Sequence, residues 1–216
     1  MIIWWKIIET DKKIEIKHSF IDILTASDLS GRQLPFMSIK SAKPGPTVLL
    51  TACIHGDEVG GMVIIQEIFK IIKRTLLKGE VCAFPLLNPF GFEHSSRYIT
   101  LSKEDLNRSF PGKKNGNLAE RIACQIFNAI LEKKPDLVLD LHNDWIKSIP
   151  FNLIDYSQEI VKNLIHKKIR KISQQTGLLT ILDSEDIKNT LSCNLIKKGI
   201  PALTMELGGS YAIDEK

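Results

Sequence analysis

The chain has 216 residues, 44% of them apolar, and 29 Lys and Arg stand against 25 Asp and Glu for a net charge of +4. That length and apolar content suffice for the core of one domain, which excludes a disordered chain, and the interspersed charges act first on solubility. Cys53, Cys82, Cys124 and Cys193 form no CxxC pair and read as reduced residues of a cytoplasmic protein; "MIIWWKII" is too short for an export signal or a membrane span, since Glu9 and Asp11 follow at once.

Residues 1–43 read as short strands and turns, with "IEIKHSFIDIL" alternating loosely and "LSGRQ" and "AKPGP" as punctuation. "TVLLTACI" (47–54) is a continuous apolar run, as in a strand covered on both faces, and "GGMVIIQEIFKIIKRTLL" (60–77) carries a helical period. "GEVCAFPLL" (79–87) is the next strand. The polar stretch 88–117 has few regular signals, and a loop of that length inside a compact domain is either functional or disordered.

"LAERIACQIFNAILEK" (118–133) restores a helix, and "PDLVLDLH" (135–142) is another covered strand. Then come "PFNLI" as a strand, the basic helix 161–175, "LLTIL" as a strand, a short amphipathic segment around 187–198, and the strand "IPALTMEL" (200–207). Alternating strands and helices predict an α/β fold, a three-layer α/β/α arrangement with a mixed central sheet. It forms one domain over 1–216, with the strands of 1–43 packed on it. In the basic helix, Ile160, Leu164, Ile165, Ile169 and Ile172 recur at helical spacing, so its lysines read as a solvated face. No aromatics interleave with them for base stacking, so neither nucleic acid nor membrane is an expected partner.

Three of the apolar runs end in polar groups: the first delivers His55 and Glu58, "PDLVLDL" delivers His142, and "IPALTM" delivers Glu206. In open α/β sheets ligands bind beyond the C-terminal ends of the strands, so these side chains converge where a site is expected. His55 and Glu58, three residues apart, face one ion if the helix begins there. Two imidazoles and one carboxylate leave a fourth position open, which is the ligand count of a catalytic zinc. Glu206 is then placed to take a proton from water and hand it to a leaving nitrogen. An isolated HxxE is nevertheless a weak signal, and a lone histidine at a strand end is more often a surface or hydrogen-bonded residue.

"HGDE" after a strand, "NPFG", Arg97, "DLNRSFPG", "DLH" and "ELGG" follow in order between about residues 47 and 209. This ordered set resembles the succinylglutamate desuccinylase and aspartoacylase group of the zinc carboxypeptidase superfamily, with "DLNRSFPG" the most specific element. The resemblance implies a zinc carboxypeptidase-like fold and one zinc per chain on His55, Glu58 and His142. It implies further that Arg97 polarises the substrate carbonyl and stabilises its oxyanion, that Asn107 and Arg108 grip a substrate carboxylate, and that Glu206 is the general base and acid. By analogy with the wider superfamily Asp105 orients His55; the alternative is an ordinary loop acid capping a turn. Asp140 shares a strand face with His142 and reads either as a group that orients that ring or as a buried structural acid, the structural reading being favoured. Asp57 shapes the turn or meets substrate and is not a ligand.

The activity so implied is hydrolysis of an amide in a small carboxylate-bearing substrate, an N-acyl amino acid. The alternatives are a metallocarboxypeptidase acting on short peptides, cell-wall peptides included, and a non-catalytic metal-binding relative. In the family so resembled, members generally continue beyond "ELG" into a closing helix and often a small C-terminal β domain; with Lys216 ten residues past Glu206, the expectation is a domain without that addition. That departure favours a wider cleft. Tyr156 and Tyr211 match no motif position, His18 and His94 read as surface, and His166 sits among helix lysines. Trp4, Trp5 and Trp145 read as core or rim packing, with Trp145 close enough in sequence to His142 to line the pocket.

Overall fold

The computed structural model describes residues 3–5, 14–25, 31–144, 147–155, 164–184 and 188–209. In chain order the strands are β1 (Ile3–Trp5), β2 (Ile14–Thr25), β3 (Gly31–Ser41), β4 (Thr47–Ala52), β5 (Glu80–Phe84), β6 (Leu137–Asp144), β7 (Phe151–Ile154), β8 (Leu179–Leu182) and β9 (Ala202–Gly209). The helices are α1 (Gly60–Thr75), α2 (Pro89–Phe92), α3 (Leu118–Lys133), α4 (Leu164–Gln175) and α5 (Leu191–Lys197), with a 3-10 turn at Leu106–Arg108. The strands form one sheet in the order β1-β2-β3-β5-β4-β6-β9-β7-β8. At its centre β5, β4, β6 and β9 run parallel, while β1, β2 and β3 extend one flank antiparallel and β7 pairs antiparallel with β9. The expected α/β architecture with a mixed sheet is therefore observed.

Helices lie on both faces of the sheet. On one face α3 and α5, with Ile169 of α4, pack on Leu49, Phe84, Val138 and Leu203; on the other, Ile65 and Phe69 of α1 pack on Leu50, Ala52, Ala83 and Leu141. Spacing of four puts Ile65 and Phe69 on one stripe of α1, and the same period sets Ile122, Ile126 and Ile130 inside α3. A capping box opens α3: the Asn117 side chain accepts from Glu120 N, and the Glu120 carboxylate accepts from Asn117 N. Among the described residues no helix is long and apolar enough to cross a membrane.

Three expectations change. Among the described residues of 14–41 there are two long strands, β2 and β3, paired antiparallel from Ile14↔Ser41 to Thr25↔Gly31 with one register shift between Asp22 and Leu24. Pro35 and Gly31 look like breaks in sequence, yet Pro35 sits opposite Phe20 within the ladder, where its neighbours Leu34 and Phe36 are buried and hold the strand in place. The stretch 88–117 is ordered by apolar anchors of its own: Phe90, Ile99, Leu106 and Phe110 are all buried, each stabilising by roughly 1.5–3 kcal/mol. Finally, the segment near the C-terminus is not amphipathic, since Leu191 to Ile196 of α5 are buried throughout and Lys197 alone faces water. On α4, Lys167, Lys168, Arg170 and Lys171 stand exposed as the expected solvated face, Leu164 is exposed with them, and His166 is buried.

Candidate metal centre

The strand β4 does not pass straight into a helix. α1 begins at Gly60, so His55 and Glu58 both precede it in a tight turn in which Glu58 N donates to the His55 carbonyl at 3.2 Å. Cys53 opens the turn at a φ of 50°, a left-handed conformation uncommon for a residue with a Cβ, and its thiol donates to Glu58 O at 3.2 Å. Leu87 N and Asn88 N donate to the carbonyls of Ala52 and Cys53, which fastens the turn to the chain leaving β5. The glycines here serve close approach and not the turn itself. A Cβ on Gly56 would lie 2.0 Å from the Gly91 carbonyl carbon, and one on Gly60 would lie 2.7 Å from Asn143 Oδ1.

Three buried side chains meet beside this turn. His55 Nδ1 lies 2.6 Å from Glu58 Oε1, and His142 Nδ1 lies 2.9 Å from Glu58 Oε2. One ligand atom from each residue falls within 4.8 Å of the others, although His142 arrives from β6, 84 residues away from Glu58. The outer nitrogen of each ring faces a further acid: His55 Nε2 is 3.2 Å from Asp105 Oδ1, and His142 Nε2 is 3.0 Å from Asp140 Oδ2. A ring that donates outward from Nε2 presents Nδ1 as a lone-pair donor, which is the form a metal ion needs. The two imidazole nitrogens and the carboxylate thus fit a divalent transition ion.

The electrostatics follow from burial and pairing. Burial works to raise the Glu58 carboxyl, but His142 and His55 outweigh it and hold the group well below the usual carboxylate range. For His142, burial works to lower the imidazole, while Asp140 and Glu58 outweigh it and raise it well above its ordinary value. Asp105 is likewise opposed by burial and held low by His55, Arg97 and Arg108. Burial pushes Glu206 the other way, up to about 6, against the opposing pull of His142 and with reinforcement from the negative charges of Glu58, Asp144 and Asp140.

The remaining sequence-derived residues divide into those drawn into this network and those beside it. Arg97 donates from Nε and NH2 to Asp105 Oδ2 at 3.2 and 2.9 Å, while its NH1 lies 3.3 Å from His55 Nδ1 and 3.5 Å from Glu58 Oε1. Asp105 therefore contacts both Arg97 and His55, and it also caps the 3-10 turn by accepting from Asn107 N at 2.9 Å. Asn107 is buried, and its Oδ1 accepts from Leu191 N at 2.9 Å, which ties the loop to the start of α5. Arg108 is exposed, with NH1 donating to the Asn107 carbonyl. Glu206 is the register partner of His142 on the neighbouring strand, and among the described residues its buried Oε2 has no hydrogen-bond partner.

Two residues beside the three converging side chains make more contacts than their motif positions indicate. Asp140 lies against His142 Nε2 and also accepts from Thr51 Oγ1 at 2.6 Å, so it has a contact for each of its two readings and links β6 to β4. Asn143 received no role, although it bonds to Glu58, Gly60 and the end of β9. Adjacency in "DLHN" was the available signal. His18 and His94 are exposed, as expected. Trp145, Tyr156 and Tyr211, with the side chains of Trp4 and Trp5, lie outside the described residues.

Residues 44–216 match the profile of the succinylglutamate desuccinylase/aspartoacylase catalytic domain. The chain is 32% identical over 131 residues to N-alpha-acetyl-L-2,4-diaminobutyric acid deacetylase of Halomonas elongata, covering 59% of this chain and 38% of the relative. It is 27% identical over 183 residues to succinylglutamate desuccinylase of Vibrio campbellii, covering 78% of this chain and 51% of the relative. The chain thus spans about half the length, or less, of these relatives. Among solved structures, the product-bound ectoine utilization protein of Ruegeria pomeroyi superposes with a TM-score of 0.80 at 25% identity, over 95% of this chain and 63% of that one. With the family profile matched across most of its length, the chain belongs to the succinylglutamate desuccinylase/aspartoacylase catalytic-domain family.

Proposed function

We propose that this chain is a zinc-dependent hydrolase, with one ion per chain, that cleaves the amide bond of a small carboxylate-bearing substrate of the N-acyl amino acid type. The observation that carries the reading is the convergence of both Nδ1 atoms with the Glu58 carboxylate, with Glu206, the register partner of His142, keeping an Oε2 that has no hydrogen-bond partner among the described residues. Acylated amino acids in the names of both curated relatives support the substrate class. The four free cysteines support a reducing, cytoplasmic setting, and residues 1–216 are read as one catalytic domain.

His55, Glu58 and His142 would hold the ion, which when bound acidifies water and polarises a carbonyl. Glu206 supplies the proton traffic. Its Oε2 takes the proton of the attacking water and returns it to the leaving amide nitrogen, and a carboxyl near 6 suits both directions at neutral pH. Arg97, fixed by two bonds to Asp105, points NH1 across the metal ligands toward the place where carbonyl charge develops. Arg108 offers its planar fork to the substrate carboxylate, and Asn107, whose Oδ1 is engaged by Leu191 N, offers Nδ2. Asp105 and Asp140 hold the two rings in the binding tautomer.

The test is Glu206→Gln, assayed on a panel of N-acyl amino acids and on short peptides with free or amidated C-termini. The expected result is hydrolysis of N-acyl amino acids by the wild type and a fall in kcat of roughly 10²–10⁴ in the variant, with metal content by elemental analysis unchanged. Unchanged hydrolysis by Glu206→Gln would remove its assigned role. Cleavage restricted to peptides with free C-termini would replace the deacylase reading with a carboxypeptidase.

A further inference from the structure

We infer that Asn143 is a positioning residue that locks the metal-ligand turn and the end of the Glu206 strand into one geometry. The inference rests on the metal-centre reading above.

The sheet leaves a gap at this point. β6 and β9 pair in register up to His142↔Glu206, and the next pair is Asp144↔Gly209, so three steps on β9 oppose two on β6 and the ladder shifts directly after the proposed base. Irregularities of this kind release a strand end from its backbone ladder and re-aim nearby side chains. Asn143 lies inside that interval, and Gly208 opposite it adopts a φ of 91°. The Asn143 Nδ2 reaches across to the carbonyls of Gly208 and Gly209 at 3.5 and 3.4 Å. The carboxamide therefore holds the strand end where the ladder does not.

The other half of the same side chain reaches the other ligand-bearing segment. Asn143 Oδ1 accepts from Gly60 N, the first residue of α1, at 2.9 Å, while the Asn143 backbone N–H donates to Glu58 Oε2 at 3.2 Å. Gly60 N is an orphan donor at a helix start, and Val59 gives α1 no side-chain cap. A carboxamide arriving from β6 does that work. One buried residue thus contacts the Glu58 carboxylate, the helix that follows it, and the two residues that terminate the Glu206 strand. Gly60 is shaped for this arrangement, because a Cβ there would fall within 2.8 Å of both the oxygen and the nitrogen of the Asn143 carboxamide.

Asn143→Ala removes both side-chain links, and Asn143→Asp keeps the acceptor for Gly60 N while removing the donor to Gly208 and Gly209. Zinc affinity, measured by competition with a chromogenic chelator, should fall about 10–100-fold in Asn143→Ala, as for other groups that brace metal ligands. On the best N-acyl amino acid of the panel, kcat should fall at least tenfold in both variants with KM within about threefold, since Arg108 is untouched. Amide exchange at Gly60, followed by NMR, should accelerate in Asn143→Ala and stay slow in Asn143→Asp.

Gly60→Ala supplies a second approach, because it pushes the carboxamide aside without deleting it. It should lower zinc affinity in the wild-type background and have little further effect on top of Asn143→Ala, a non-additive pair. Zinc affinity and kcat within twofold of wild type in Asn143→Ala, or additive effects of the two substitutions, would overturn the proposal. If the wild type binds no zinc and cleaves nothing in the panel, the function assigned above fails; the Gly60 exchange rates then decide the Asn143 clamp by themselves.

Discussion

The candidate metal cluster and the loop proposed to face substrate lie side by side, yet they are built differently. In the cluster every hydrogen-bonding atom of His55, Glu58 and His142 that faces the site meets another group, and all three side chains are at most 8% exposed. On the substrate side, Arg97 is 38% exposed, Arg108 is exposed, and Glu206 keeps a buried oxygen without a partner among the described residues. Groups that must hold one geometry are buried and bonded several times over, because a loose ligand costs affinity. Groups that must meet a reactant keep bonding capacity for it, at the cost of buried polar atoms that are less well satisfied.

Substitutions on the two sides should therefore fail in different ways. The largest effect is expected for His142→Ala, which should abolish stoichiometric zinc in elemental analysis together with hydrolysis, since two remaining ligands do not make a site. Asp140→Asn leaves the ligands intact but weakens the brace on His142, so zinc affinity should drop about 10–100-fold at nearly unchanged KM. Arg108→Ala should give the reverse split: KM rising about tenfold, zinc content unchanged and kcat less affected. If Arg108→Ala lost zinc, or Asp140→Asn changed KM alone, the division between the two regions would not stand.

The last effect lies away from both and leaves metal binding and hydrolysis untouched. Burial pushes the Asp155 carboxyl up to about 6 from an ordinary value of 3.8, against the bond it accepts from Thr190 Oγ1 at 2.9 Å. The folded state then binds a proton between about pH 4 and 6 that the unfolded state has already released. Stability should fall as pH rises through that window and level off above it, by an amount on the order of 3 kcal/mol. Asp155→Asn keeps an acceptor for Thr190 and removes the charge, so thermal melts should show it more stable than wild type at pH 8 and equal to it near pH 4.

Much of the site was legible before any fold was known. The side chains of His55, Glu58, His142 and Glu206 are announced by apolar runs that end in polar residues, and burial of a strand on both faces leaves its C-terminal end as the natural place for such groups. Arg97 and Asp105 were named through the ordered motifs, and the structure brings both to His55. Other features had no local signature. The ladder of β2 and β3 runs through Pro35, and α5 looks amphipathic only until the loop 106–110 and β9 close over it.

What the sequence determined by itself is therefore the inventory: which strands are covered, which residues stand at their ends, and which chemistry their side chains permit. Only the tertiary structure decided how those residues are held. Asp140 and Asn143 act through partners that are distant in the chain, Thr51 and Gly60 among them, and a hydrogen bond across 83 residues has no period for a sequence pattern to reveal. The physical reason is that propensity and hydrophobic spacing are local, whereas the orientation of a ligand is fixed by groups that meet only once the sheet has assembled.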